Sequence, residues 1–448
     1  MKFDVEFRYN RVPWRRMQAA LENKNLLTGW DEMYISDQVQ KLLKDAPAIE
    51  MRLKNFFSDW KPFNKLVYSN PEQKRAVSLI LGDSFLPFPF LLFGPPGTGK
   101  TVTLVEAIKQ VALKPTSRIL ICAPSNSAAD LFLERLHDNF SPSQMFRINA
   151  QSRKQPSHFA HFDKYVMKNT DGDYLIPPLE TIIKFKIIIS TCGTAAVFHG
   201  LGVKPGHFTH IFIDECGQAL EPEAMIPLNL IAHPSNTRFV LAGDHKQLGP
   251  IIHSSVSRKL GLGVSLLERL MGYIDLSKAS YPLRIKNFHN PRNQKKSGNN
   301  EKEMAYDLIF VKLLQNYRSH PSLLEVPNSL FYGGSLKACA DEMITKQYTG
   351  WQQLPDPNHP MLFIHTVGKD ERDGSSPSFF NIAEIQEVLN VVESLREDRS
   401  GFRAVTSDKI GVITPYNKQR SNLERALNAK GYPGINVGTV EAFQGQER

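Results

Sequence analysis

The chain has 448 residues, 41% of them hydrophobic, and a formal net charge of +9. That is enough apolar sequence for two or three packed domains, which excludes a wholly disordered chain. The excess of Lys and Arg points to a polyanionic partner. The most apolar stretch, Phe85 to Phe93, is short and broken by Pro87 and Pro89, so no segment spans a bilayer.

Met1 to Glu6 lacks the apolar core of a signal peptide. Phe3, Val5, Phe7 and Tyr9 alternate with polar residues and read as one face of a strand, while Trp14, Met17 and Leu21 follow at helical spacing. Helical sequence is expected to about Phe57. The four cysteines, Cys122, Cys192, Cys216 and Cys339, sit in or beside apolar segments. They read as buried thiols of a reducing compartment. His207, His210 and Cys216 lack zinc-ligand spacing.

Gly94-Pro95-Pro96-Gly97-Thr98-Gly99-Lys100-Thr101 fits the phosphate-binding loop pattern of nucleoside triphosphatases. Leu91-Leu92-Phe93 before it suits a buried parallel strand, and Leu104, Val105, Ile108, Val111 and Ala112 after it repeat at helical spacing. A strand, a glycine loop and a helix together aim backbone N–H groups at a polyphosphate. Lys100 would reach the β- and γ-phosphates of ATP, and the Thr101 hydroxyl would ligate Mg²⁺.

Further apolar runs at Ile119–Ala123, Ile187–Ile189, Ile211–Ile213 and Phe239–Leu241 predict a parallel sheet flanked by helices over residues 65–275. The third of these ends in Asp214-Glu215. Asp214 can hold the Mg²⁺ shell there, and Glu215 can deprotonate the attacking water. The fourth leads into His245 to Pro250, where Gln247 could contact the γ-phosphate and the water.

Leu276 to Asn300 holds six Lys or Arg and no Asp or Glu, and marks a basic linker over residues 276–304 that could touch RNA or simply be solvated. A second α/β region is expected over 305–448, with strands at Met361–Ile364 and Ile410–Ile413. Asn381 with Glu384 reads as a capping box ahead of Ile385, Val388, Leu389 and Val392.

Several short segments occur in a telling order. Asn70-Pro-Glu-Gln73 precedes the phosphate loop. Ala123-Pro-Ser-Asn-Ser127, Ser190-Thr-Cys-Gly193, the Asp214-Glu215 pair and Gly243-Asp-His-Lys-Gln-Leu-Gly-Pro250 follow it. Asn316-Tyr-Arg-Ser-His-Pro321, Ile413-Thr-Pro-Tyr416 and Gly438 to Glu447 close the series. Together they resemble the motifs of superfamily 1 helicases. His207 to Ala219 with Glu221-Pro-Glu223, Gly261 to Arg269, and Gly368 to Asn381 resemble the RNA-silencing helicases of the Armitage type more narrowly. That group includes the Moloney-leukaemia-virus-ten-like proteins and the plant silencing-defective helicases. Cys216 resembles the germline, piRNA-linked branch.

The resemblance implies an α/β fold of two RecA-like parallel-sheet domains with a nucleotide cleft between them. Residues 1–64 would be the end of an accessory barrel plus a helical stalk, and the second domain would be incomplete. It implies that Gln73 contacts adenine, Tyr317 stacks on it, Arg318 binds the γ-phosphate and Glu447 lies on the ribose side. Asn126, Ser127, Thr191 and Thr439 would follow the RNA backbone, although Asn126 and Ser127 would equally suit a helix cap and Tyr317 a core position. Strand-tracking proteins hold phosphates in this way, independently of sequence.

The activity implied is an ATP- and Mg²⁺-dependent helicase moving 5′ to 3′ on single-stranded RNA. By resemblance it would serve cytoplasmic RNA silencing, in ribonucleoprotein granules, with Argonaute-type partners. A DNA helicase of the same superfamily and an ATP-gated RNA scaffold with little turnover are the rival readings. The family has a further motif, with an arginine completing the γ-phosphate site, that lies beyond Arg448. Slow hydrolysis and weak unwinding are therefore expected of these 448 residues alone.

Overall fold

Short runs of Val, Ile, Leu and Phe, buried on both faces, set the architecture. The structure, a computed structural model, describes residues 10–23, 60–82, 89–153, 157–233, 236–273, 308–374, 376–397 and 404–443. The chain divides into two compact units, Met1–Asn316 and Tyr317–Arg448.

The first unit is built on a seven-stranded sheet. Its strands are β1 (Phe90–Phe93), β2 (Ile119–Ala123), β3 (Met145–Arg147), β4 (Ile187–Thr191), β5 (His210–Ile213), β6 (Arg238–Gly243) and β7 (Phe310–Lys312). They lie in the order β3-β4-β2-β5-β6-β1-β7, and every pairing is parallel. All four residues of β1 and all five of β2 are buried, as a sheet covered on both faces requires. Helix Asn126–Leu136 packs on β2 and β4, and helices Pro71–Leu81 and Lys100–Ala112 pack on each other. Leu104, Ile108 and Val111 are fully buried, so the periodicity in the sequence does mark the core face.

Five of these strands match the apolar runs expected. β3 was not anticipated, because three residues carry too little pattern to separate a strand from a loop. β7 corrects the domain boundary expected at 305. Leu91, Leu92 and Phe93 pair with Phe310, Val311 and Lys312, and Leu313 N–H donates to Phe93 O at 2.9 Å. The first unit therefore takes its last strand from beyond the basic stretch, whose residues 274–307 lie outside the described ones. The expected strand at Lys2–Tyr9 and the helical sequence from 24 to 57 also lie outside them.

Helix Val12–Glu22 forms as expected and packs on helix Glu221–Asn229. Asn23 Nδ2 donates to Asn229 O at 2.9 Å, and Asn229 Nδ2 donates back to Asn23 O at 2.9 Å. Ala20 is its buried residue, whereas Trp14 and Leu21 are exposed. No helix among the described residues is long and apolar enough to cross a membrane.

In the second unit Gly411–Ile413 pairs in parallel with Asn436–Gly438, and Asp370–Arg372 pairs antiparallel with Phe379–Asn381. Trp351, Leu389, Val392, Val405, Ile410, Leu427 and Ile435 form its core. Asn381 caps helix Ile382–Leu395 by accepting from the N–H groups of Ala383 and Glu384. The reciprocal half of the expected capping box is absent. Gln419 Oε1 accepts the Asn381 N–H at 2.9 Å, and Glu384 instead accepts from Gln419 Nε2 at 3.1 Å. Met361–Ile364 is not a strand: it has no ladder partner among the described residues, and Phe363 is 88% exposed. Cys122, Cys192 and Cys216 are buried, but Cys339 is exposed, contrary to expectation, just after the exposed pair Lys337–Ala338.

Candidate active site

In a parallel sheet flanked by helices, ligands meet the carboxyl ends of the strands. Nearly every segment singled out in the first unit's sequence lies there. The phosphate loop follows β1, Asn126 and Ser127 follow β2, Thr191 ends β4, Asp214 and Glu215 follow β5, and Gln247 lies just beyond β6.

The phosphate loop is held from both sides. Gly94 N–H donates to Gly243 O of β6 at 3.1 Å, and Thr98 Oγ1 donates to Pro95 O at 2.7 Å. Gly97 and Gly99 have φ of 71° and 78°, in the left-handed region that suits glycine. A Cβ at Gly94 would lie 2.6 Å from Lys100 Cβ, so the loop can fold back over its own helix only without one. Asn70 accepts the Gln73 N–H at 3.0 Å and caps helix Pro71–Leu81. That helix carries Gln73, whose Nε2 is 3.3 Å from both Thr98 O and Gly99 O. Gln73 thus lies against the loop, with its amide N–H groups turned to loop carbonyls.

Loop and acidic strand end meet directly. Lys100 Nζ is 2.5 Å from Glu215 Oε1 and 3.2 Å from Asp214 Oδ1. Thr101 Oγ1 donates to Asp214 Oδ2 at 3.1 Å, and Gln218 Nε2 donates to Glu215 Oε2 at 2.9 Å. Burial works against the Lys100 charge, but Asp214 and Glu215 outweigh it and hold its pKa above the ordinary lysine value. Burial pushes the Asp214 carboxyl up, with Lys100 opposing.

Glu215 has φ of 53°, a left-handed conformation no other described non-glycine residue adopts. Such a conformation costs about 1–3 kcal/mol and persists only where neighbours over-determine it. Here Cys216 N–H donates to Ala242 O at 2.9 Å, and Gly217 lies so close to β6 that a Cβ would stand 2.9 Å from Asp244 O. The turn is pinned to the end of β6, and Glu215 is swung toward Lys100.

Gln247 is exposed and donates from Nε2 to Asp244 Oδ2 at 2.9 Å. Asn126 and Ser127 are exposed in the first turn of their helix, and the capping side chain is Ser125, which accepts from Ala128 N–H at 3.2 Å. Thr191 Oγ1 donates to Thr194 Oγ1 at 2.8 Å. In the second unit Tyr317 is 44% exposed, which excludes a core role, and Arg318 is exposed. Thr439 O accepts the Ala442 N–H at 3.1 Å. Glu447 lies outside the described residues.

Three partners escaped sequence reasoning. Gln218 braces Glu215, and Asp244 holds Gln247. Asn316, fully buried after β7, donates from Nδ2 to Pro96 O of the phosphate loop at 2.7 Å. The first two lie beside recognised motifs. The third depends on a strand pairing that no local pattern announces.

A phosphate loop on one strand, with its lysine and threonine on carboxylates from a second, defines a nucleoside triphosphatase core. Comparison with known proteins places it further. A family model described as an AAA domain matches residues 68–174 and 177–255, and another of the same description matches 296–448. A "Putative helicase mov-10-B.1" from Danio rerio is 40% identical over all of this chain and 42% of its own length. "RNA helicase Mov10l1" from Homo sapiens is 42% identical over 99% of this chain and 39% of its own. "Probable RNA helicase armi" from Drosophila melanogaster is 32% identical over all of this chain and 38% of its own. The chain spans about two fifths of the length of these curated relatives. Among solved structures, arterivirus nonstructural protein 10 (helicase) aligns at 14% identity over 84% of this chain and 62% of that one, with a TM-score of 0.31. The chain belongs to the superfamily 1 helicases of the Armitage and Moloney-leukaemia-virus-ten-like type, whose paired ATPase domains make them nucleoside triphosphate hydrolases.

Proposed function

We propose that this chain is the motor core of an ATP-dependent RNA helicase that moves 5′ to 3′ and remodels RNA or RNA–protein complexes in gene silencing. The observation that carries the hydrolytic part is the meeting of Lys100, Thr101, Asp214 and Glu215 within hydrogen-bond reach. The choice of RNA rests on relatives named as RNA helicases. The silencing role, the Argonaute-type partners and a cytoplasmic setting rest on the family resemblance.

In this reading the backbone N–H groups of Gly97, Gly99 and Lys100 cradle the phosphates, and the Lys100 side chain neutralises the β- and γ-oxygens. The hydroxyl of Thr101 and the carboxylate of Asp214 are hard oxygen donors 3.1 Å apart, a pair that fits Mg²⁺. That ion would supply charge neutralisation on the phosphate oxygens. Glu215 is the general base. Its Oε1 faces Lys100 and its Oε2 faces Gln218, so a triphosphate that draws Lys100 away frees one oxygen to orient and deprotonate water. Gln247 reads the γ-phosphate side, and Gln73 contacts adenine.

The second unit, Tyr317–Arg448, is a second RecA-like domain. It would supply Tyr317 to stack on adenine, Arg318 for the γ-phosphate and Glu447 for the ribose. Asn126, Ser127, Thr191 and Thr439 hold the RNA backbone. The test is steady-state ATPase with single-stranded RNA, with single-stranded DNA and with neither, beside Glu215→Gln. RNA-stimulated turnover lost in the variant supports the reading. Stimulation by DNA alone, or turnover unchanged in the variant, refutes it.

A further inference from the structure

Beneath Asn126 lies a buried polar cluster that the nucleotide chemistry does not use. Arg147, on β3, is 1% exposed, and Asp130, on helix Asn126–Leu136, is 4% exposed. Arg147 Nε donates to Asp130 Oδ1 at 3.0 Å, and its Nη1 donates to Ile148 O at 2.6 Å. Arg153 donates to Asn149 Oδ1 at 2.6 Å and to both oxygens of Asp130. Two guanidinium groups thus share one buried carboxylate. The remaining arm of Arg147 leaves the cluster: Nη2 donates to Asn126 Oδ1 at 3.0 Å.

That last bond fixes a chemical orientation. A guanidinium has five N–H donors and no acceptor, so the carboxamide atom facing it must be the oxygen. The amide group of Asn126 then points away from Arg147, from an exposed residue, and among the described residues its Nδ2 has no protein acceptor. With its oxygen turned to Arg147, Asn126 presents its N–H donors to an incoming strand, and these match the oxygens of a phosphodiester. An asparagine free to turn would present either end. Because Arg147 is itself held by Asp130 and Ile148, it cannot follow Asn126 if the amide flips.

We infer that Arg147 is a positioning residue for strand binding: it locks the Asn126 carboxamide as a hydrogen-bond donor to a backbone phosphate of single-stranded nucleic acid. The inference rests on the assignment of Asn126 to the strand path made above, and adds the residue that orients it and the atom it contacts. It also explains why a charged side chain is buried on a three-residue edge strand. Burial lowers the Arg147 pKa while Asp130 opposes.

The test is a double-mutant cycle on the full chain, read by fluorescence anisotropy with labelled single-stranded oligouridine. The variants are Asn126→Ala, Arg147→Lys and the pair. Lysine keeps the charge beside Asp130 but lacks the planar fork needed to hold both partners. Each single variant is expected to weaken oligouridine binding about ten-fold, the worth of one hydrogen bond to a charged group. The double variant should be no weaker than either single one, and nucleotide affinity should stay within about two-fold, since the cluster does not touch the phosphate loop. A single methylphosphonate placed at the contacted linkage should weaken the native chain and leave Asn126→Ala and Arg147→Lys unaffected. A purely structural role for Arg147 would not produce that insensitivity.

Losses that multiply in the double variant overturn the inference, as does normal binding by Arg147→Lys when Asn126→Ala is weak. In both cases Asn126 keeps its place on the strand path. Normal binding by Asn126→Ala removes that placement and the inference with it. Should Arg147→Lys not fold, the native chain still decides: oligouridine should shift the Asn126 Nδ2 amide protons in nuclear magnetic resonance spectra and leave the Arg147 guanidinium signal in place. Unmoved amide protons overturn the inference.

Discussion

Glu223 offers the sharpest test of the electrostatics. It lies in the first turn of helix Glu221–Asn229, with its Oε1 3.8 Å from where a Cβ on Gly193 would stand. Glu221, two residues earlier, is paired with Arg269 at 2.5 Å, but no hydrogen bond or ion pair holds Glu223 among the described residues. Burial pushes its carboxyl from the ordinary 4.5 up to about 7. The sign follows from linkage. Below pH 4.5 the group is neutral in both states and carries no penalty. Between 4.5 and about 7 the unfolded chain loses the proton freely while the folded chain keeps it, so stability falls as pH rises and levels off above that window. The interval corresponds to a ceiling of roughly 3 kcal/mol, and partial solvent access reduces the expectation to about 1–2 kcal/mol. Glu223→Gln keeps the shape and removes the titration. Denaturant melts of the variant and the native chain should coincide near about pH 4 and separate near about pH 8, with Glu223→Gln the more stable. An equal difference at both pH values, or a less stable variant at the higher one, would refute burial as the dominant influence on this carboxyl.

Three other outcomes are expected. Gly217→Ala would place its Cβ 2.9 Å from the Asp244 carbonyl oxygen, a backbone atom that cannot swing aside. It should cost about 1–3 kcal/mol in thermal or denaturant melts and reduce ATPase by displacing Glu215. Asn316→Ala removes the 2.7 Å bond that a buried side chain makes to the half-buried Pro96 O. Nucleotide affinity, measured by titration calorimetry, should fall about five- to ten-fold, with stability lowered by about 1–3 kcal/mol. Lys100→Met strips the cation from two neighbouring carboxylates. ATP binding should be lost, and because burial already pushes the Asp214 carboxyl up, the variant should gain stability relative to the native chain as pH falls, the condition that protonates Asp214.

The parts of this molecule that could be read in advance are those whose cause is local. Phosphate-loop glycines are needed because of φ at Gly97 and Gly99 and the approach at Gly94, so their spacing survives in the sequence as a pattern. The apolar runs of β1, β2, β4, β5 and β6 are equally plain, since a strand buried on both faces has no polar positions to confuse it. What stayed hidden depends on contacts between distant segments. β3 and β7 are three residues each and are defined by the neighbours they pair with, Ile187–Ile189 and Leu91–Phe93. Arg147 looks like any basic residue until β3 is placed, and the bond from Asn316 to Pro96 emerges only once β7 is. Met361–Ile364 misled in the opposite direction, because four apolar residues make a strand only where an edge exists to receive them. The pairing of Glu384 with Gln419 in place of its own helix cap has the same origin, a distant side chain outcompeting a local one.

The late arrival of β7 has a bearing on how the molecule is made. Synthesis delivers β1 to β6 first, and β1 then stands at the edge of the growing sheet with four buried-type side chains and a free row of backbone N–H and C=O groups. Residues 244–309 must leave the ribosome before Phe310–Lys312 can close that edge. For that interval the nascent chain carries a template for pairing with a second copy. Chaperone capture, or a slow stretch of translation timed to this point, would have its greatest effect between those two strands.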